Sequence, residues 1–305
     1  MKSILITGAK GFLGSNVSKY FKQLGYRTFG LGHGKLSRIK LNNIGLDVWK
    51  EGNITKTALL EFNYKFDVIV HCGGSGSVRS SITNPDDDFK KTVDGTLEVL
   101  EYIKSHNTNV HLIYPSSPAI QGEHPNTPIH ENYIGEPISP YGHHKKITEK
   151  YCQSFSKKYG LNISIVRLFS VYGEGLKKQL LWDACMKIKK GDKHVTFWGT
   201  GQETRDFIHI GDVLSLFNFL LTINQKLLVI NGGLGNRFTI KEIITMIRNI
   251  INPNVKINFN KKVDVGNPKY FCADTQKLES LGFRINRDIN KNIKNYIEWA
   301  KKLND

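Results

Sequence analysis

The chain has 305 residues, of which 39% are hydrophobic and 23% charged, the composition of a folded soluble protein. Its formal net charge is +16, but the lysines are spread along the chain without a basic arm or an RNA-binding pattern, so no nucleic-acid partner is expected. No apolar run approaches the roughly 20 residues that span a membrane, and no signal peptide is recognisable. These features predict a cytoplasmic protein without a membrane partner.

The first half of the chain alternates apolar strands with amphipathic helices. Strands are predicted in KSILITG, YRTFGLG, FDVIVHCGG, NVHLIYPSS and NISIVRLFS, and helices in GSNVSKYFKQLG, KTALLEF, PDDDFKKTVDGTLEVLEYIKSH and residues 141–159. This alternation predicts an α/β fold of the Rossmann type, a doubly wound parallel sheet covered by helices on both faces. The pattern loosens after about residue 170, into helices and the short strands VTFWG, RDFIHI, LLVING and VKINFN. We therefore predict a Rossmann domain over 1–168 and a smaller C-terminal α/β lobe over 169–305, with some segments returning to the first domain.

The cysteines and histidines give no indication of a metal site. The four cysteines, Cys72, Cys152, Cys185 and Cys272, are far apart and form no CxxC pair, which predicts reduced, structural thiols. The ten histidines are not clustered at the spacing of zinc ligands, so no metal is expected.

Three glycines, Gly8, Gly11 and Gly14, follow the first strand and open the first helix. Glycine lets the backbone turn tightly and approach a pyrophosphate, which then binds at the exposed amides and positive dipole end of the helix. We therefore predict that this loop, with Phe12 and Leu13, binds a dinucleotide.

The end of the second strand favours NADP(H) over NAD(H). An NAD site usually has an acidic residue there, which binds the ribose 2′-hydroxyl, but this chain has Gly32. The cations His33, Lys35 and Arg38 follow, and Lys10 lies within the glycine loop. We expect these cations to bind the 2′-phosphate of NADP(H). NAD(H) is the alternative, with the same cations facing solvent.

These segments and several later ones resemble an extended short-chain dehydrogenase/reductase of the nucleotide-sugar epimerase/dehydratase/reductase family. The resemblance covers nearly the whole chain. The matching segments are ITGAKGFLG, EGNIT, DVIVHCGG, SVRSSITNP, VDGTLEVL, PSSPAIQGE, SPYGHHK, VRLFSVYGEG, GTGQETRDFIHIGDV and YFCADTQKLESLGF. In EGNIT, Asn53 replaces the family's adenine-contacting Asp, and the resemblance assigns Asn53 and Ile54 to the cofactor site.

The resemblance implies that Tyr141 is the catalytic acid/base, Lys145 its activator and Ser117 its hydrogen-bonding partner. A Tyr-x-x-x-Lys spacing alone is common in a lysine-rich chain, but here it follows a serine loop and a dinucleotide loop. Both side chains share one face of a predicted helix, where a nearby ammonium stabilises a phenolate and lowers the tyrosine pKa. Tyr141 and Lys145 are also assigned to the cofactor site. In PSSP the register favours Ser117, with Ser116 as the alternative.

The resemblance further implies a nucleoside-diphosphate sugar as substrate. Arg205 is expected to contact its diphosphate, and Ser170 stands at a substrate position where many family members have Asn. The family often dimerises through two helices, here those near 86–106 and 141–159, so we expect a homodimer.

Three reactions are known for this family, and the residues favour one of them. Dehydratases usually have Asp-Glu after the catalytic Ser or Thr, and Pro118 and Ala119 occupy those places, which disfavours dehydration. The cations near the cofactor loop favour NADPH-dependent reduction of a nucleoside-diphosphate 4-keto or 4-keto-6-deoxy sugar, with Tyr141 as proton donor. An NAD-dependent nucleotide-sugar 4-epimerase is the alternative, and a non-catalytic dinucleotide sensor or scaffold is the alternative from another class.

Overall fold

The computed structural model describes residues 1–191, 193–262, 266–285 and 288–303. The chain forms two compact units. The first contains Met1–Gly122, Ile134–Leu168 and Leu214–Ile230, and the second contains Glu123–Tyr133, Phe169–Val213 and Asn231–Asp305.

The helices and strands follow one another in the order that the sequence predicts for the first half of the chain. The strands are β1 (Ser3–Thr7), β2 (Arg27–Gly32), β3 (Val48–Glu51), β4 (Val68–His71), β5 (His111–Ser116), β6 (Asn162–Leu168), β7 (Ser170–Tyr172), β8 (His194–Phe197), β9 (Thr204–Arg205), β10 (Phe207–His209), β11 (Leu227–Gly232), β12 (Phe238–Thr239) and β13 (Lys256–Phe259). The α-helices are α1 (Phe12–Gln23), α2 (Arg38–Asn43), α3 (Lys56–Leu60), α4 (Val78–Thr83), α5 (Pro85–Phe89), α6 (Gly95–His106), α7 (Pro140–Tyr159), α8 (Gln179–Lys189), α9 (Ile210–Leu220), α10 (Ile240–Ile251), α11 (Gln276–Ser280) and α12 (Ile289–Lys302).

The first unit is built on a sheet with the strand order β11-β6-β5-β4-β1-β2-β3. The pairings from β3 through β6 are parallel. The order reverses between β1 and β4, and the carboxyl ends of strands at such a switch point form the ligand crevice of open α/β sheets. The predicted Rossmann-type doubly wound fold is therefore confirmed. LLVING, which follows residue 168 in the chain, forms strand β11 at the edge of this sheet.

The central strands are apolar because helices cover them on both faces. Every residue of β1 is buried, and Ile4, Leu5 and Ile6 are completely inaccessible to solvent. Leu5 and Ile69 of adjacent strands pack with the inner faces of α6 and α7 in one continuous core. This core fixes the carboxyl ends of β1, β4 and β5, where the residues of the predicted site lie.

The long helix predicted from Pro85 to His106 is interrupted in the structure. A π-helical turn over Lys90–Asp94 separates α5 from α6. Thr92 lies in this turn, where its hydroxyl oxygen accepts a hydrogen bond from the Ser75 amide and its carbonyl accepts one from Thr96. The wider turn thus accompanies a hydrogen bond that the loop after β4 donates to the helix. Helix periodicity alone does not predict this bond.

The second unit contains three small strand pairs: β7 with β10, β8 with β13, and β9 with β12. Residues 123–133 belong to this unit, although the sequence-based boundary placed them in the first domain. The physical reason is a backbone pairing, since Ile129 donates to the carbonyl of Cys272 and accepts from the amide of Asp274. Such pairing between residues far apart in sequence leaves no local signal.

The four cysteines are free thiols, as the sequence predicts. Within the described ranges, no cluster of three or more histidine, cysteine or acidic side chains could hold a metal ion. None of the helices in those ranges combines the length and the apolar character that crossing a bilayer requires.

Candidate active site

The glycine loop joins β1 to α1 in a form that admits only glycine at two of its positions. Gly8 has φ +65°, and a Cβ there would lie 2.7 Å from the carbonyl oxygen of Cys72. A Cβ on Gly14 would collide with the carbonyl oxygen of Gly8. The N-cap residue of α1, Gly11, provides no side-chain cap, and the first turn has no acidic residue. This helix end therefore suits an anionic ligand such as a dinucleotide pyrophosphate.

The far end of the predicted cofactor crevice contains a tryptophan that the sequence analysis did not single out. A Cβ on Gly32 would lie 3.2 Å from the indole ring of Trp49, so this ring takes the space next to the missing acidic side chain. The Lys10 ammonium lies 6.0 Å from the centroid of the Trp49 ring. Trp49 follows Asp47 and Val48 in an ordinary strand pattern, so only the register of β2 against β3 reveals its position.

The other predicted cofactor residues occupy the same unit. Phe12 and Leu13 are half-buried at the start of α1, whereas Asn53, His33 and Arg38 are exposed. The Ile54 side chain packs close to Gly73, at the end of β4. The predicted set therefore lies around the carboxyl ends of β1 to β4.

A close approach between two backbones brings the serine loop to helix α7. Ser139 caps the helix by accepting from the Gly142 amide, and Pro140 occupies its first turn. A Cβ on Gly142 would lie 2.5 Å from the carbonyl oxygen of Ala119, so glycine is required beside Tyr141. The Tyr141 amide donates to Ser81 Oγ at 3.0 Å, which fixes the start of α7 to α4.

The structure brings Ser117 and Tyr141 together and gives Ser116 a different partner. The Ser117 side chain lies close enough to the Tyr141 phenol to lower the pKa of the tyrosine. The Ala119 amide donates to Ser117 Oγ at 3.2 Å, which holds the hydroxyl in place. Ser116 Oγ instead donates to Glu149 Oε1 at 2.5 Å. Of Ser117 and Ser116, the alternative partners of Tyr141 predicted from the sequence, Ser117 is the one that lies at the tyrosine.

The ammonium of Lys145 is buried and held by strand β5. Its Nζ donates to the carbonyl of Pro115 at 2.9 Å and to the hydroxyl of Tyr114 at 3.2 Å. It also lies 4.7 Å from the centroid of the Tyr114 ring, a cation–π distance. Because Thr148 Oγ1 donates to the carbonyl of Lys145, the 2.6 Å bond between Tyr114 and Thr148 uses the tyrosine hydroxyl as donor.

Tyr114 is a functional residue that the sequence analysis missed. In sequence it is one more aromatic residue of an apolar strand. One signal was available: Tyr114 and Ser116 alternate along β5 and so face the same side of the sheet, and Ser116 adjoins the predicted serine. On α7, Lys145, Thr148, Glu149 and Cys152 are buried at helical spacing, which matches that face.

Burial dominates the pKa values of the two central groups. It raises the pKa of Tyr141 to about 12, while the hydrogen bond from Ser117 lowers it and the charge of Asp88 raises it. Burial lowers the pKa of Lys145 to about 8, against the opposing charge of Asp88. In the polypeptide alone, burial therefore keeps the pKa of Tyr141 above its ordinary value, and the expected lowering by Lys145 is not found.

A buried ion pair supports the underside of the site. Arg167 Nε donates to Glu149 Oε1 at 3.1 Å, and Arg167 Nη2 donates to Glu149 Oε2 at 2.9 Å. Both side chains are at most 8% exposed. The bidentate pair offsets the Glu149 charge in place and joins α7 to β6.

His71, at the end of β4, has a structural role in the hydrogen-bond network. The Thr96 hydroxyl donates to a backbone carbonyl, so it accepts from His71 Nε2 at 3.1 Å. The Nδ1 atom is 2.7 Å from Thr7 Oγ1, and in the neutral imidazole it accepts a hydrogen bond from that hydroxyl. Burial lowers the pKa of His71 to about 3. The neutral ring therefore ties β1, β4 and α6 together near the catalytic side chains.

Of the three predicted substrate residues, Ser117 lies in the first unit, and Ser170 and Arg205 lie in the second. Arg205 donates to the carbonyl of Thr204 at 2.7 Å, and its guanidinium lies 5.2 Å from the centroid of the Phe271 ring. The Ser170 amide donates to the carbonyl of Asp206, next in sequence to Arg205. Ser170 pairs with Phe207 of β10, two residues after Arg205 in the chain, so the two positions lie close together in one unit.

Comparison with known proteins gives full-length matches. A Methanocaldococcus jannaschii protein with the provisional name UDP-glucose 4-epimerase is 29% identical over 308 residues, which cover 99% of each chain. The Bacillus cereus UDP-glucuronic acid 4-epimerase, solved with UDP-glucuronic acid and NAD, is 26% identical with a TM-score of 0.87 over 99% of this chain and all of its own. The Thermotoga maritima UDP-glucose 4-epimerase, at 24% identity, shares the fold with a TM-score of 0.89 over 98% of this chain and 99% of its own.

The family model of NAD dependent epimerases and dehydratases matches residues 4–231, a span that contains the glycine loop and the Ser117, Tyr141 and Lys145 side chains. Sequence motifs, strand order and site geometry agree with that match. The chain belongs to the NAD dependent epimerase/dehydratase family.

Proposed function

We propose that the protein is an NAD-dependent 4-epimerase of nucleotide sugars. The observation that carries the proposal is the approach of Ser117 to the Tyr141 phenol, on the helix whose Lys145 ammonium is held by β5. The full-length relatives that support the choice of reaction are named for 4-epimerisation of UDP-sugars. This reading replaces the NADPH-dependent ketoreductase favoured by the sequence, for which the relatives give no support.

The residues of the chain account for the proton transfers of such a reaction. Bound NAD would supply the oxidant that removes a hydride from C4 of the sugar and returns it to the opposite face. Tyr141 takes the proton of the 4-hydroxyl, holds it, and gives it back to the oxygen of the 4-keto sugar. Ser117 hydrogen-bonds that oxygen while its charge changes. Lys145 contributes a positive charge fixed by Tyr114 and Pro115.

The glycine loop and the first turn of α1 would hold the dinucleotide at its pyrophosphate. The loop geometry fits such a ligand because Gly8 and Gly14 leave the backbone accessible where any side chain would collide. We propose NAD rather than NADP, since the Bacillus cereus neighbour was solved with NAD. In this reading Lys10, His33 and Arg38 are exposed cations without a 2′-phosphate to bind.

The substrate proposed is a UDP-sugar, held at its diphosphate by Arg205 with Ser170 nearby. The names of the relatives support uridine as the base. We also propose a homodimer formed through the helices of residues 86–106 and 141–159. Phe89, in the first of these ranges, is 38% exposed, and Tyr151, in the second, is 39% exposed. Light scattering in solution tests the dimer.

One experiment separates the candidate functions. Purified protein is incubated with UDP-glucose or UDP-glucuronic acid without added cofactor, and the product is analysed by NMR for inversion at C4. We expect interconversion in the wild type, with NAD released on denaturation. The Tyr141→Phe variant should lose turnover and keep the dinucleotide. NADPH oxidation with a nucleoside-diphosphate 4-keto-6-deoxy sugar, without C4 inversion of either hexose, would instead identify a reductase. No turnover in either assay would identify a sensor or scaffold.

A further inference from the structure

A buried carboxylate lies beside the catalytic helix without an assigned role. Asp88 on α5 is only 3% exposed, and its Oδ2 is 2.5 Å from His144 Nδ1. His144 directly precedes Lys145 on α7, and α5 packs against α7. The second oxygen, Asp88 Oδ1, is buried and has no hydrogen-bond partner among the residues that the structure describes. A buried carboxylate oxygen that accepts no hydrogen bond destabilises the folded protein unless a positive charge is close.

The Lys145 ammonium is the positive charge near Asp88. Few of the groups around this ammonium can be anionic. The titratable side chains around it are His71, Cys72, Asp88, Tyr114, Tyr141, Glu149 and Cys152. Burial raises the pKa values of the two thiols and of the Tyr114 and Tyr141 phenols, so these groups are neutral near pH 7. The imidazole of His71 is neutral as well, because burial lowers its pKa to about 3. Among the groups that the structure describes there, the carboxylates of Asp88 and Glu149 remain.

The two carboxylates differ in their partners. Glu149 is bound through both oxygens to Arg167 and also accepts from Ser116, so a permanent cation already offsets its charge. Asp88 has only the His144 ring, which is charged only when it is protonated. Asp88 is accordingly the largest of the charges that raise the pKa of Lys145.

We propose that Asp88 is a positioning residue that keeps Lys145 in its ammonium form, with His144 holding the carboxylate in place. The inference rests on the proposed function, because it concerns the same catalytic lysine. Asp88 acts on Lys145 electrostatically. We assign Asp88 no contact with the reacting atoms. The protein thus retains a charged lysine in a site where burial alone would favour the neutral amine.

The test measures the ionisation of Lys145 directly, without substrate. In protein labelled with ¹⁵N-lysine, the Nζ chemical shift is followed against pH, and the Lys145→Arg variant identifies the signal. We expect a midpoint at about pH 8 in the wild type. In Asp88→Asn the midpoint should fall by about one pH unit, the usual effect of removing a nearby opposite charge. A merely structural role would lower stability without moving the midpoint.

The neighbouring acidic residue provides a matched control. Asp87 is exposed and forms an ion pair with Lys91, so Asp87→Asn removes the same charge one position away and should leave the Lys145 midpoint unchanged. An Asp88→Asn midpoint equal to that of the wild type would overturn the proposal. If Asp88→Asn does not fold, His144→Arg keeps the carboxylate but pairs it with a permanent cation. It should also lower the midpoint, and an unchanged midpoint there would overturn the proposal equally.

This readout is independent of the proposed reaction. A protein that turns over no nucleotide sugar still gives the Lys145 midpoint, so failure of the proposed function and failure of the Asp88 proposal are distinguishable. Where turnover is present, the alkaline limb of the kcat profile should move down with the midpoint in Asp88→Asn.

Discussion

Ser116 and Ser117 are adjacent in sequence but have separate partners, because Ser116 donates to Glu149 at 2.5 Å and Ser117 lies at the Tyr141 phenol, whose pKa it lowers. The alternation of β5 sends Ser116 towards the buried ion pair under α7. Ser117 begins the turn that follows and faces the tyrosine. Two neighbouring hydroxyls thus divide between a structural task and a proposed catalytic one.

Alanine substitutions should separate those two tasks. Ser117→Ala is expected to lower kcat by about 10²–10³-fold, because a hydrogen bond to the reacting oxygen is lost, with little change in stability. Ser116→Ala should keep most of kcat but lower the free energy of unfolding by about 1–3 kcal/mol, since the buried Glu149 loses a donor. Steady-state kinetics and urea unfolding of both variants measure this. The reverse pattern would assign the catalytic role to Ser116.

Tyr114→Phe should weaken catalysis without disturbing the core. The ring and its cation–π contact with Lys145 remain, but the hydrogen bond from Nζ is lost, so we expect kcat to fall by about 10-fold. Tyr102→Phe is the matched control, because it deletes a buried hydroxyl that binds only the Tyr64 carbonyl. Equal kcat values in the two variants would exclude a role for the Tyr114 hydroxyl.

The buried Lys145 should make stability depend on pH in a specific window. Its pKa is lowered from 10.5 to about 8 by burial, so above pH 8 the folded protein releases a proton that the unfolded chain keeps. The free energy of unfolding of the wild type, relative to Lys145→Met, should therefore be flat below pH 8 and rise by about 2–3 kcal/mol by pH 10. Urea unfolding at several pH values measures the difference. A flat difference throughout would mean that Lys145 is not desolvated.

A pair of glycine substitutions tests the cofactor loop. Gly8 and Gly25 both have positive φ, at +65° and +82°, but only Gly8 has backbone atoms where a Cβ would be placed. Gly25→Ala should cost about 1 kcal/mol of stability and leave NAD binding intact. Gly8→Ala should weaken NAD binding by at least about 10-fold, because the loop must move away from Cys72. Calorimetric titration of NAD into each variant gives the comparison. Equal affinities would place the dinucleotide elsewhere.

Local patterns in the sequence were sufficient for much of the fold. The apolar runs from Ser3 to Leu168, separated by amphipathic helices, predicted β1, β2, β4, β5 and β6 in their order, but not β3, α2 or α4. They could not predict that residues 123–133 pair with the segment around Ala273, because that pairing depends on hydrogen bonds across more than a hundred residues. Periodicity likewise gave one helix where Thr92 lies in a π-helical turn.

The sequence by itself determined the glycine loop after β1 and the spacing of Tyr141 and Lys145 on one helix face. Both follow from backbone sterics and helical periodicity, which act between residues close in the chain. Only the tertiary structure decided which groups surround Lys145. Tyr114, Asp88 and the ion pair of Glu149 with Arg167 come from separate strands and helices, and burial among them sets the charge on the lysine. Electrostatics in a buried site depends on distance in space, and the chain order does not contain that distance.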